Sequence, residues 1–169
     1  MTELVFDTLP AHDAREVVRR CADVPRWCDA LVALRPFGDA DRLLATARGL
    51  ARAWTPAEVE GALAQHPRIG ERPAGDGAEA RMSAREQAGV STDTDVAARL
   101  RAGNLAYERR FGRVFLIRAA GRDAHEILAA LETRLGADDE TEAATTAAEL
   151  CDIALLRLAA AVAPAQVLR

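Results

Sequence analysis

The sequence predicts an all-α fold: a single compact multi-helix domain over residues 1–169, with one short extended connector. Three observations lead there. The length suits one domain with a real hydrophobic core. Half of the residues are hydrophobic but only 4% are aromatic, so that core must be Ala, Leu, Val and Ile packing. Ala and Leu lead the helix scale, while the β-branched and aromatic residues that favour strands are few. Apolar positions also recur at helical spacing through most of the chain.

The elements can be read in order. Asp13 or Pro10 opens a helix on which Val17, Val18 and Cys21 share a face. Pro25 starts another, which ends before Pro36. Asp39 or Asp41 begins a third, with Leu43, Leu44, Ala47, Leu50, Ala51 and Trp54 at helical spacing. At "TPAE", Thr55 can cap, Pro56 fits the first helical position and Glu58 can close a capping box. That helix cannot easily pass His66, because Pro67 disfavours the α conformation in the residue before it. Pro67 to Gly77 reads as a loop. "SAREQAG", Ser83 to Gly89, is expected to begin a short helix. A longer helix runs from about Thr94 to Arg110 and stops at Gly112, a C-terminal cap. "RVFLIRA", Arg113 to Ala119, is the extended connector. Asp123 starts a helix ending at Gly136, and the last helix runs from about Glu140 to Val162. There is no internal repeat and no long linker.

Charge and composition exclude several function classes. A formal charge of −4 speaks against a nucleic-acid surface, which needs a basic excess. All 22 positive residues are arginine; lysine is absent. Cys21, Cys28 and Cys151 lack the spacing of a disulfide framework and read as buried thiols in a reducing cytosol. Neither a signal peptide nor an apolar stretch of membrane-spanning length is visible, so a soluble, cytoplasmic protein is expected.

Few residues stand out as carriers of chemistry. His66 sits at a forced helix end, where it is either an ordinary polar residue or presented to a ligand. His12 and His125 each fall in the first turn of a helix. Ser83 and Glu86 have the S-x-x-E spacing of another capping box; in that position Glu86 would lie near exposed backbone N–H groups. Gln87 follows with both donors and acceptors. Arg157 lies within an apolar arc of the last helix formed by Leu150, Ile153, Ala154 and Ala161. A guanidinium there either snorkels, pairs with a carboxylate, or accepts an anion in a pocket. Arg118 and Arg122, beside loops, are weaker candidates. No zinc-ligand spacing, phosphate loop or nucleophile elbow occurs.

Five stretches, "RPF" (Arg35 to Phe37), "HPRIG" (His66 to Gly70), "SAREQAG", "NLAYERRFG" (Asn104 to Gly112) and "LLRL" (Leu155 to Leu158), span most of the chain. In order and approximate spacing they resemble the 2-oxo-4-hydroxy-4-carboxy-5-ureidoimidazoline (OHCU) decarboxylases of urate degradation. The resemblance implies an all-α enzyme without metal or organic cofactor that decarboxylates OHCU, a small molecule, to (S)-allantoin. It implies that His66 is catalytic with Glu86 as its companion. Pro67, Ser83, Gln87 and Arg157 would bind substrate, with backbone groups from Phe115 to Ile117. The family is commonly dimeric, which leaves a homodimer open. "FGRVF" departs from the family's frequent Phe-Gly-Phe-Pro-Phe, with Arg113 and Val114 in place of Phe-Pro.

The implied chemistry suits these residue types. Loss of carbon dioxide from OHCU leaves a negative charge that the substrate's conjugated ring delocalises, so the substrate is its own electron sink. The enzyme must hold the ureido and ring amides, orient the carboxylate and protonate one face. His66 can move protons near neutral pH, and Glu86 can orient it. The alternative from another class is an all-α ligand-binding or regulatory module without catalysis. Such a regulator would gather its arginines on one helix, and no basic stripe is visible. An inactive scaffold homologue is disfavoured by intact His66, Glu86 and Arg157.

Overall fold

A computed structural model of the chain describes residues 4–70, 77–88 and 94–163. Among them the structure is all-α, with nine helices and no strand. The chain forms two compact units, Met1–Glu58 with Cys151–Arg169, and Val59–Leu150. It passes from the first to the second within α5 and returns within α9.

The first unit begins with α1 (Val5–Thr8), a single turn too short to leave a periodic signature. Its buried Phe6 packs on Phe37, with ring centroids 6.2 Å apart. Asp7 accepts the N–H groups of Phe37 and Gly38 at 2.9 and 2.8 Å, while Arg35 donates to the carbonyls of Phe6 and Leu9. The "RPF" turn, with a cis Arg35–Pro36 peptide, is thereby tied to α1. The next helix, α2 (Ala11–Cys21), buries Ala14, Val18 and Cys21, and Val17 lies at the edge of that face. α3 (Pro25–Ala33) starts on its proline, as expected. Asp39 caps α4 (Ala40–Ala51) by accepting the Arg42 N–H at 2.8 Å, which decides between the two candidate starts. Trp27 crosses from α3 to donate to the Ala47 carbonyl and meets Trp54 edge-on.

α5 (Pro56–Leu63) opens with the anticipated box: the Thr55 N–H donates to Glu58 at 2.8 Å and the Glu58 N–H to Thr55 Oγ1 at 3.2 Å. Next comes α6 (Ala78–Glu86), and here the expectation fails. Ser83 lies inside this helix and Glu86 ends it, so "SAREQAG" closes a helix rather than opening one. The spacing S-x-x-E is the same wherever it falls in a helix, whereas the residues before Ser83, "AEARM", are themselves strong helix formers. The helix therefore starts upstream, at the extended Gly77. Gly89 of the motif lies outside the described residues.

The second unit is built around α7 (Thr94–Phe111) and α8 (Ala124–Leu135), which pack on each other. Gly103 makes the close approach possible: a Cβ there would lie 2.5 Å from a methyl of Leu131. Gly112 ends α7 at φ 69°, its N–H donating to the Glu108 carbonyl, the left-handed cap that favours glycine. Residues 114–119 form the expected connector without helix or strand. Asp123 and Glu126 form a reciprocal capping box at the start of α8. The core here gathers Ile69, Leu100, Tyr107, Phe115, Ile127 and Leu131 with their neighbours. α9 (Asp139–Val162) completes the chain, its first turn held by Asp138 accepting from Thr141. None of the helices among the described residues is long and apolar enough to cross a membrane. All three cysteines are buried, and none of them is in a disulfide.

Candidate active site

His66 follows the end of α5 in a tight turn, its N–H donating to the Leu63 carbonyl at 2.9 Å. The ring Nδ1 lies 3.1 Å from the Ala62 carbonyl oxygen. A carbonyl can only accept, so Nδ1 carries the proton in this contact and a neutral ring keeps Nε2 as its basic nitrogen. The proline that stops the helix thus also lets the last helical carbonyls orient the imidazole.

Three of the four residues after His66, namely Arg68, Ile69 and Gly70, are fastened to α7 and to the end of α6. Arg68 grips Glu108 with two hydrogen bonds of 2.5 and 2.9 Å. That guanidinium holds the Glu108 carboxyl below the ordinary carboxylate range, so the tie persists in the charged form. Asn104, buried on α7, donates to the Ile69 carbonyl at 3.0 Å. Gly70, at φ 84°, donates its N–H to the Gln87 side-chain oxygen at 3.0 Å. Gln87 caps α6, with its own N–H on the Ser83 carbonyl. The "HPRIG" loop and the Ser83–Gln87 segment, 17 residues apart at the Gly70–Gln87 bond, are therefore brought together.

The remaining candidates are placed as follows. Ser83 is buried, while Glu86 and Gln87 are half-buried at the carbonyl end of α6. Glu86 accordingly lies at the opposite end of α6 from its first turn, contrary to the capping expectation. The Phe115 and Ile117 side chains are core residues, 1% and 4% exposed, so only their backbone is left to meet a ligand. Arg157 belongs to the first unit, on α9, where it is buried among Ile153, Ala154 and Leu158; Ala161, expected on the same arc, is exposed. Arg118 offers its backbone N–H to Glu149 at 2.7 Å, and Arg122 lies 3.6 Å from the same carboxylate.

Two features escaped the sequence reading. Asn104 could have been found as the one polar residue among Val96, Leu100 and Tyr107 on the buried face of α7. The other is a buried ionic cluster: Glu142, fully enclosed, receives Arg134 through contacts of 2.6, 2.9 and 3.1 Å and the Tyr107 hydroxyl. Burial, then the bond to Glu142, pushes the Tyr107 phenol above its ordinary value and keeps it a donor. Thr146, one turn beyond Glu142, completes the group. No group of three or more His, Cys, Asp or Glu side chains is placed to hold a metal among the described residues.

A family model described as OHCU decarboxylase matches residues 7–159. The chain belongs to the OHCU decarboxylase family. OHCU decarboxylases are carboxy-lyases acting on a small molecule, so the chain is an enzyme of that class. No curated protein matches it. Among solved structures it is similar to a crystal structure of an OHCU decarboxylase in the presence of (S)-allantoin. That likeness has a TM-score of 0.73 and 24% identity, over 86% of this chain and 96% of the other. It is also similar to a crystal structure of an (S)-allantoin synthase, with a TM-score of 0.69 and 17% identity over 94% of this chain. The chain spans about half, 53%, of that protein's length. Both likenesses are of fold, and the all-α architecture agrees with the OHCU decarboxylase family.

Proposed function

We propose that the protein decarboxylates OHCU to (S)-allantoin without metal or organic cofactor, in the cytoplasm, with His66 and Glu86 as its acid–base pair. The observation that carries this reading is the bond from Gly70 N–H to Gln87 Oε1, which joins the His66 loop to the helix end bearing Glu86. Gln87, its oxygen engaged, keeps its amide N–H groups as donors for the ureido oxygen. Ser83 and Pro67 belong to the same two segments. The backbone of Phe115 and Ile117 offers paired N–H and C=O groups to the ring amides. Arg157 supplies a guanidinium suited to a substrate carboxylate or polar oxygen.

His66, oriented through the Nδ1 contact with the Ala62 carbonyl, would use Nε2 to take a proton and return it. Carbon dioxide leaves from the carbon beside the conjugated ring, and the ring holds the resulting electron pair. Delivery of one proton to one face then gives (S)-allantoin. The test is incubation with freshly generated OHCU, following the handedness of allantoin by circular dichroism. Accelerated, single-handed product is expected; a rate and racemic product equal to the uncatalysed decay would refute the reading.

A further inference from the structure

The Arg134–Glu142 cluster raises a question that stability does not answer. An ion pair this deep can be exchanged for apolar side chains of similar volume with little loss, and often with gain. What an apolar replacement cannot supply is the donor that leaves the pair. Arg134 NH1 reaches the Leu116 carbonyl at 2.7 Å, in the middle of a connector that no helix or sheet holds. The same guanidinium lies 4.7 Å from the centre of the Phe115 ring. Its other nitrogens are fixed by Glu142 and Thr146, and Glu142 in turn by Tyr107. Two residues along, the Arg118 N–H is taken by Glu149 at 2.7 Å. In an extended backbone the N–H and C=O of one residue point to one side and those of the next to the other. With the Leu116 carbonyl on Arg134 and the Arg118 N–H on Glu149, an extended connector would turn the amide groups of Phe115 and Ile117 the opposite way.

We propose that Arg134, clamped by Glu142 and seconded by Glu149, is a positioning residue that sets the connector so that the backbone groups of Phe115 and Ile117 meet the substrate. The proposal rests on the reading of those two residues as substrate-binding. The ligand chemistry it fits is a cyclic or open urea, in which N–H donors stand beside carbonyl acceptors.

The experiment compares wild type with the triple variant Tyr107→Phe, Arg134→Met, Glu142→Leu, measuring melting temperature, kcat and KM for OHCU, and Kd for (S)-allantoin. The expected result is a stable protein whose KM and Kd rise on the order of tenfold, the scale of one or two lost hydrogen bonds, while kcat falls less. His66→Ala, run beside it, should show the reverse split. A stable triple variant with KM and Kd within about twofold of wild type overturns the positioning role and leaves the decarboxylase reading standing. A wild-type protein that neither turns over OHCU nor binds allantoin removes both. Should the triple variant not fold, Glu149→Leu and Glu149→Gln decide: loss of affinity with Leu and its recovery with Gln, which keeps a carbonyl acceptor, supports the proposal. Equal affinity in both overturns it.

Discussion

At the scale of single residues, the site reading turns on three side chains with different expected signatures. His66→Ala should fold as wild type and lose about 10²–10⁴-fold in turnover, the contribution of a positioned acid–base group. Activity within about twofold of wild type at saturating substrate would remove His66 from the mechanism. Glu86 is now easier to test than its spacing suggested. It ends α6 rather than starting it, so no capping role can mask a catalytic one. Glu86→Gln is expected to leave the melting temperature unchanged while turnover collapses; stability and turnover falling together would take it out of the site. Arg157, 6% exposed on α9, should tolerate replacement by Met without loss of stability if its function is ligand binding. Affinity for (S)-allantoin should then weaken by roughly 1.5–3 kcal/mol, the worth of a charge-assisted hydrogen bond. A stability loss of about 3–5 kcal/mol with unchanged affinity would make Arg157 half of a structural ion pair instead.

At the scale of elements, helix starts were legible wherever a cap carries its own signature. Asp39, Thr55 with Glu58, and Asp123 all cap as their spacing says. Pro67 and Gly112 stop their helices for reasons local to one residue, and this is why the position of His66 could be read at all. Where the local signal is degenerate, as at Ser83–Glu86, or the element is one turn, as at α1, the reading failed. The cap of α5 carries a pH signature. The Arg26 guanidinium first, and then the Thr55 N–H, hold the Glu58 carboxyl down at about 2. In the unfolded chain the same carboxyl protonates near pH 4.5, so its stabilisation is whole above that value and fades as pH falls toward 2. Urea melts of wild type and Glu58→Gln should therefore differ most above about pH 5 and converge near pH 2. The α7–α8 contact makes a steric prediction. Gly103→Ala would gain helix propensity but drive its Cβ into the enclosed Leu131, so a net loss of about 1–3 kcal/mol is expected. In Gly103→Ala with Leu131→Ala the two losses should fall short of their sum, since the second change vacates the space the first needs. Strict additivity would show that the helices part instead.

At the scale of the whole molecule, composition already limits the chemistry. With no lysine in the chain, no side-chain amine can form an imine with a carbonyl substrate. Borohydride added during turnover should leave both activity and protein mass unchanged, and a reduced adduct in the mass spectrum would contradict a direct decarboxylation. The all-α class and most helix positions were likewise open to reading, because they follow from composition and period. The buried cluster was not, because Arg134, Tyr107 and Glu142 look like ordinary helical residues until three helices bring them together. Yet the cluster has one property that belongs to the unfolded chain. Arg134 and Glu142 are only eight residues apart, across the turn from α8 to α9. Closing so short a loop costs little entropy, whereas the Tyr107 contact spans 35 residues. This corner is thus a place where folding can nucleate: two helices already joined by their charges, waiting for α7 to bring its phenol and cover them.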